Sequence, residues 1–215
     1  MAPLLIFDLD GTLIDSRMDL ANAVNATRAE WHRGPLPHEM IFSYVGNGAP
    51  VLIQRAMGPD AAEDEIAGAL EFFLAYYREH ALDETVLYHG VREGLHRMHA
   101  AGAKLAVLTN KPVRISRRIV EGLGIAHLFS QVYGGNSFDH KKPHRIGIDT
   151  LRAELDAMQA ETWMVGDSYV DVQTARNAGV AACGVAWGFQ PETFQEFPPD
   201  VLVKTLGEFA DRFVR

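Results

Sequence analysis

An α/β fold, a parallel sheet of about five to six strands with helices on both faces, is predicted by three observations. Short apolar runs recur at 4–9, 104–109, 162–166 and 180–186, each the length of a strand covered on both sides. Amphipathic stretches of helical period, including 91–101, 113–123 and 145–157, alternate with them. Gly102, Gly124 and Gly179 follow such stretches, where helices commonly end in a left-handed residue.

Taken in order, the first strand reads Leu4-Leu5-Ile6-Phe7-Asp8-Leu9-Asp10-Gly11-Thr12, too short for a helix and continuously apolar up to its acids. Residues 16–85 then break the rhythm. Leu20, Val24, Thr27 and Trp31 make one helical stripe, and Ile66, Leu70, Phe73 or Leu74, and Tyr77 another. Between them 38–45 and 49–57 also look helical, and no strand is evident. These features predict a small all-helical domain at 16–85, inserted into a core of 1–15 and 86–215. Hinges are expected near Asp15-Ser16 and between Asp83 and Gly90. After the insertion, Gln131-Val132-Tyr133-Gly134 is a weaker strand, and strand 201–203 with helix 205–213 closes the chain.

A chain of 215 residues can bury one good core plus a small satellite. The net charge of −8 argues against a nucleic-acid or anionic-membrane surface. Every lysine lies at or beyond Lys104, so 16–85 has none. The single cysteine, Cys183, allows no intrachain disulfide and sits in an apolar run as a small hydrophobe. No segment is long enough to span a membrane. Asp8 interrupts the first apolar run too early for a signal peptide, so cytoplasm is the expected compartment. Monomer and homodimer both remain open.

The chemistry concentrates at strand ends. Asp8 and Asp10 are spaced i, i+2, so on a strand they share a face and are expected to converge on one point. Burying two acids there is costly unless a positive charge neutralises them. Gly11 relieves the backbone and admits a close ligand. The next strand ends in Thr109-Asn110-Lys111, a hydroxyl and an amide that can donate to an oxyanion or simply cap a turn. Lys141-Lys142-Pro143-His144 offers a fixed ammonium, or a solvated basic loop. Gly166-Asp167-Ser168 ends a further strand, with Asp171 in the first turn of the following helix, where the dipole also favours an acid. Oxygen ligands with few carboxylates suit Mg²⁺, and no histidine or cysteine stands with them to suggest zinc.

These four motifs, in this order over nearly the whole chain, resemble haloacid dehalogenase superfamily phosphatases with a helical C1-type cap after the first motif. The resemblance implies a Rossmann-like core in which Asp8 is the nucleophile and forms an aspartyl-phosphate. Asp10 protonates the leaving alkoxide and then activates water. Thr109 and Asn110 bind phosphoryl oxygens, with Gly11 and Thr12 in the same phosphate-binding set, and Lys142 fixes both phosphate and Asp8. Mg²⁺ is held by Asp8, Asp167 and the backbone carbonyl of Asp10, with Asp171 supporting the shell.

Within the superfamily the cap selects the substrate. Tyr44-Val45-Gly46-Asn47-Gly48-Ala49, the preceding Gly34-Pro35-Leu36-Pro37 and Asp19-Leu20 resemble the bacterial phosphoglycolate phosphatase branch. That resemblance implies 2-phosphoglycolate as substrate, with Asn47 in the cap and Arg17 or Arg55 facing the carboxylate. His89 and Arg145 stand where relatives often have proline. The alternatives are another small phosphate ester or pyrophosphate, a β-phosphoglucomutase-like phosphotransferase, and last a catalytically silent binding protein. A phosphonate-cleaving relative needs a cap lysine, which 16–85 lacks, and a dehalogenase has no need of Asp10.

Overall fold

The computed structural model describes residues 2–213. In chain order its strands and α-helices are β1 (Leu4–Phe7), β2 (Ile14–Asp15), α1 (Arg17–Glu30), α2 (His38–Phe42), α3 (Ala49–Met57), α4 (Glu63–His80), β3 (Val86–Leu87), α5 (Val91–Ala100), β4 (Lys104–Leu108), α6 (Val113–Gly122), β5 (Phe129–Tyr133), α7 (Ile146–Glu154), β6 (Thr162–Gly166), α8 (Tyr169–Ala178), β7 (Ala181–Val185), β8 (Val201–Val203) and α9 (Leu206–Ala210). The chain divides into two compact units, one running to Ile14 and resuming at Leu87, the other Asp15–Val86.

The first unit is built on a parallel six-stranded sheet ordered β5-β4-β1-β6-β7-β8. Numbered within this sheet alone, that order is 3-2-1-4-5-6, the doubly wound arrangement whose strand order reverses beside the first strand. Leu4 pairs with Lys104 on one side and Thr162 on the other, and Phe7 with Val107 and Val165. The carboxyl ends of β4, β1 and β6 are therefore level, which brings three of the four sequence motifs to one edge. Leu4 and Ile6 pack with Ala106, Leu108 and Met164 against Ile148 and Leu151 of α7 and Val172 and Ala175 of α8. Leu5 and Phe7 alternate to the opposite face and are equally buried, as a strand between two helical layers requires. Each such side chain contributes roughly 1.5–3 kcal/mol, enough in sum to anchor a strand that ends in acids. Cys183 is buried in β7, and burial pushes its thiol up to about 12, so it is an inert packing residue.

The second unit is helical. In α4 the buried residues are Ala69, Phe73 and Tyr77: Phe73 and Tyr77 lie in the expected stripe, whereas Ile66 and Leu70 are only partly covered. α4 packs against both α1 and α3. Asp19 of α1 is 1% exposed. Its carboxylate accepts the N–H of Glu84 (2.9 Å) and the N–H and hydroxyl of Thr85 (2.9 and 2.7 Å), which satisfies the buried charge. At the borders of the unit β2 and β3 form a two-stranded ribbon. Two residues carry no alternation, so no periodicity could announce it.

Candidate active site

The two acids after β1 each meet a cation of their own. The strand ends at Phe7 and the chain turns at once, the carbonyl of Leu9 accepting the N–H groups of Thr12, Leu13 and Ile14. Asp8 is thereby directed to Lys142, whose Nζ lies 3.0 Å from its Oδ1. Asp10 instead takes Lys111, with Nζ 2.8 and 3.0 Å from its two oxygens. Gly11 makes the turn possible at φ +77°, and a Cβ on it would lie 2.2 Å from Oδ2 of Asp167, so only glycine fits.

β6 and α8 supply the other acids. Ser168 precedes α8, and its N–H (3.2 Å) and hydroxyl (3.0 Å) both donate to Oδ2 of Asp171. This is the reach-back from the third helical position that stabilises a helix start. The other oxygen, Oδ1, lies 2.6 Å from Nζ of Lys142. Asp171 therefore caps the helix and holds the lysine at once. Lys142 is 4% exposed, follows β5 in the loop before α7, and precedes a cis peptide bond to Pro143. Its carbonyl accepts the side-chain amide of Asn110 at 3.1 Å, which ties the loop after β4 to the lysine loop. Thr109 donates its hydroxyl to Asp8.

Electrostatically the site is crowded with acid. Carboxylate oxygens of Asp8, Asp167 and Asp171 lie within 4.8 Å of one another, with Lys142 beside two of them. Burial drives the Asp8 carboxyl up to about 6, with Lys142 opposing and Asp171 reinforcing. Asp167 is raised well above the usual carboxylate range by burial and by Asp171 and Asp8. Burial disfavours the Lys142 ammonium, but Asp171 and Asp8 outweigh it and leave its affinity for the proton raised. One ammonium against three acids leaves the cluster short of positive charge. The donors are all oxygens, with no histidine or cysteine in the cluster, and such a set fits a hard divalent cation. The Thr12 hydroxyl is buried without a hydrogen-bond partner in the structure, a donor and acceptor that a ligand oxygen would satisfy.

Two contributors escape sequence inspection. Lys111 lies inside a quoted motif, but nothing in the spacing shows that its ammonium belongs to Asp10. After β7, Trp187-Gly188-Phe189 closes over Asp167: the N–H of Phe189 donates to Asp167 Oδ2 at 2.6 Å, and Trp187 Nε1 donates to the Thr12 carbonyl at 3.2 Å. A Cβ on Gly188 would sit 2.1 Å from Cβ of Asp167.

In the helical unit, Arg17 pairs with Asp15 at 2.5 Å and lies over the Phe42 ring. Arg55 is exposed on α3, its guanidinium 5.9 Å from the centre of the Tyr44 ring. Asn47 is half-buried in the turn between α2 and α3. His89 is exposed before α5, and Arg145 pairs with Asp149 at the start of α7.

Residues 5–185 match the family model of the haloacid dehalogenase-like hydrolases. The chain is 38% identical over 211 residues to a phosphoglycolate phosphatase of Colwellia psychrerythraea, covering 95% of this chain and 93% of that protein. To the phosphoglycolate phosphatase of Chromobacterium violaceum it is 40% identical over 210 residues, with the same coverage. Among solved structures, a predicted phosphoglycolate phosphatase from Haemophilus somnus superposes with a TM-score of 0.92 at 32% identity, covering 98% of this chain and 97% of that one.

Proposed function

The chain belongs to the haloacid dehalogenase-like hydrolase family, and from that premise we propose that it is a Mg²⁺-dependent phosphomonoester hydrolase whose substrate is 2-phosphoglycolate. The observation that carries the reaction is Lys142 held between Asp8 and Asp171 at 3.0 and 2.6 Å, at the carboxyl end of the central strand. An acid fixed there beside a cation is a positioned nucleophile.

In this reading an oxygen of Asp8 attacks phosphorus while the bond to the leaving oxygen breaks, and Asp10 gives that oxygen its proton. The products are an aspartyl-phosphate and glycolate. Water then attacks phosphorus, passing a proton to Asp10 as the bond to Asp8 breaks, and phosphate leaves with both acids restored. Thr109 and Lys142 keep Asp8 oriented, and Lys142 faces the transferring group with positive charge. The residues suited to Mg²⁺ are Asp8, Asp167 and the backbone carbonyl of Asp10, supported by Asp171. When bound, the ion supplies charge stabilisation at the phosphoryl group and favours ionised Asp8.

The narrower assignment to 2-phosphoglycolate is supported by the names of the relatives and by the cap residues Asn47, Arg17 and Arg55. Arginine suits a carboxylate through paired hydrogen bonds. The test is phosphate release from a panel of phosphorylated metabolites with Mg²⁺ and with chelator. The expected result is chelator-sensitive hydrolysis with 2-phosphoglycolate preferred. No hydrolysis of any ester, or indifference to chelation, overturns the reaction; preference for a sugar phosphate or pyrophosphate overturns only the substrate.

A further inference from the structure

We propose that Lys111 is a positioning residue for Asp10, and that it thereby sets the range of leaving groups the site can expel. The proposal rests on the phosphatase reading above. A lysine on a surface loop ordinarily extends its stem and keeps its ammonium in water. Lys111 does the reverse: its side chain is only 2% exposed. Its backbone is fixed at both ends, the N–H donating to the Thr109 hydroxyl at 3.3 Å and the carbonyl accepting the N–H of Gly135 at 2.9 Å. The ammonium meets both oxygens of Asp10, at 2.8 and 3.0 Å. Contact with both oxygens sets the tilt and the rotation of the carboxylate, which contact with one would not.

The two lysines are not interchangeable. Lys142 is committed to Asp8 and Asp171, and Lys111 to Asp10. Each acid of the first motif thus has its own cation on a different loop. Asp10 moves one proton, to the leaving oxygen as its bond to phosphorus breaks, and that transfer requires the carboxyl to face the oxygen. An alkyl leaving group is a strong base that departs badly without the proton, whereas an aryl leaving group departs without it. Loss of orientation at Asp10 therefore falls on alkyl esters.

The experiment is a double-mutant cycle with Lys111→Met and Asp10→Asn, read as kcat and KM on an alkyl and an aryl phosphate. Lys111→Met is expected to lower kcat on the alkyl ester about 10- to 100-fold, within the usual share of general acid catalysis, and on the aryl ester by about three-fold or less. KM should change little. In the Asp10→Asn background, Lys111→Met should have no further effect, and Lys111→Arg should recover part of the alkyl activity. Should the methionine variant not fold, Lys111→Gln takes its place in the same cycle. Equal losses on both esters, or an undiminished loss when Asp10 is already asparagine, mark a purely structural role and overturn the assignment while the phosphatase reading stands. No hydrolysis by the unsubstituted protein overturns both.

Discussion

Lys111 and Lys142 of the α/β unit and Arg17 and Arg55 of the helical unit hold their charge in opposite ways. Lys111 and Lys142 have side chains 2% exposed, each locked to a named acid. Arg17 is 40% exposed and paired with a neighbour two residues away, and Arg55 lies exposed against a tyrosine ring. A buried ion pair tolerates no loss of one partner, because the other is left uncompensated. An exposed one contributes little and can be given up for a ligand. On the proposed function the difference separates reaction from selection: the residues assigned to the chemistry have mutually fixed charges, and those assigned to the substrate have charges that are available.

The change with the largest expected effect tests the fixed side. Asp8→Asn removes the proposed nucleophile and leaves Lys142 with Asp171 as its carboxylate partner. We expect kcat to fall by about 10⁴-fold or more, on the pattern of a lost nucleophile, with no phosphoenzyme trapped on quenching. Normal turnover would place the nucleophile elsewhere and break the comparison.

Next come two glycines, one from each unit. Gly188→Ala places a Cβ 2.1 Å from Cβ of Asp167, near the root of a buried side chain that cannot swing aside. Destabilisation of about 1–3 kcal/mol is expected, with a rise in the Mg²⁺ requirement of about 10- to 100-fold as Asp167 is displaced. Gly34→Ala in the helical unit meets nothing within 4 Å and should stay within about 0.5 kcal/mol of the parent. Thermal unfolding and Mg²⁺ titration of kcat measure both. If Gly188→Ala were as silent as Gly34→Ala, the loop over Asp167 would not be part of the site.

The same contrast explains what the sequence could tell. β1, β4 and β6 were legible because buried parallel strands are short apolar runs, and the acids ending β1 and β6 had no reason to be there without a function. Lys111 and Gly188 were not legible, because their importance lies in a contact about 100 and about 20 residues away, and no local period carries that. In α4, Phe73 and Tyr77 were legible, but Ala69 was not, because a small residue carries little weight in an apolar stripe. The i, i+2 spacing of Asp8 and Asp10 marks both acids, but nothing in it shows that each has its own lysine.

Smaller effects are expected from the arginines. Arg55→Ala should raise KM for carboxylated phosphate esters about 10-fold, the size of one charged hydrogen bond, with kcat and neutral esters unaffected. Arg17→Ala should do less, because Asp15 already engages that guanidinium through two of its nitrogens and must release it first. Equal losses on neutral esters would show that these residues shape the unit rather than read the carboxylate.

The smallest effect concerns acid stability and sets one pair from each unit side by side. The Asp200 carboxyl is partly buried, which opposes ionisation, but the Ala182 N–H and Arg176 outweigh it and hold its pKa below the usual carboxylate range. Asp15 is likewise held low, chiefly by the hydrogen bond from Arg17. An acid with a depressed native pKa adds stability above its unfolded value, about 3.9, and loses it as pH falls through the native value. Asp200→Asn should therefore match the parent at the acid end and fall below it above about pH 4. Exposure of both partners keeps the gap to about 0.5–1 kcal/mol. Asp15→Asn should show the same sign with a smaller gap. Asp200 joins α8 to the segment before β8 across 24 residues, whereas Asp15 holds a residue only two positions on that the chain already keeps near. Urea unfolding of the three proteins from pH 3 to pH 7 measures the two gaps. A larger gap for Asp15 would mean that the helical unit fixes its charges as firmly as the α/β unit does.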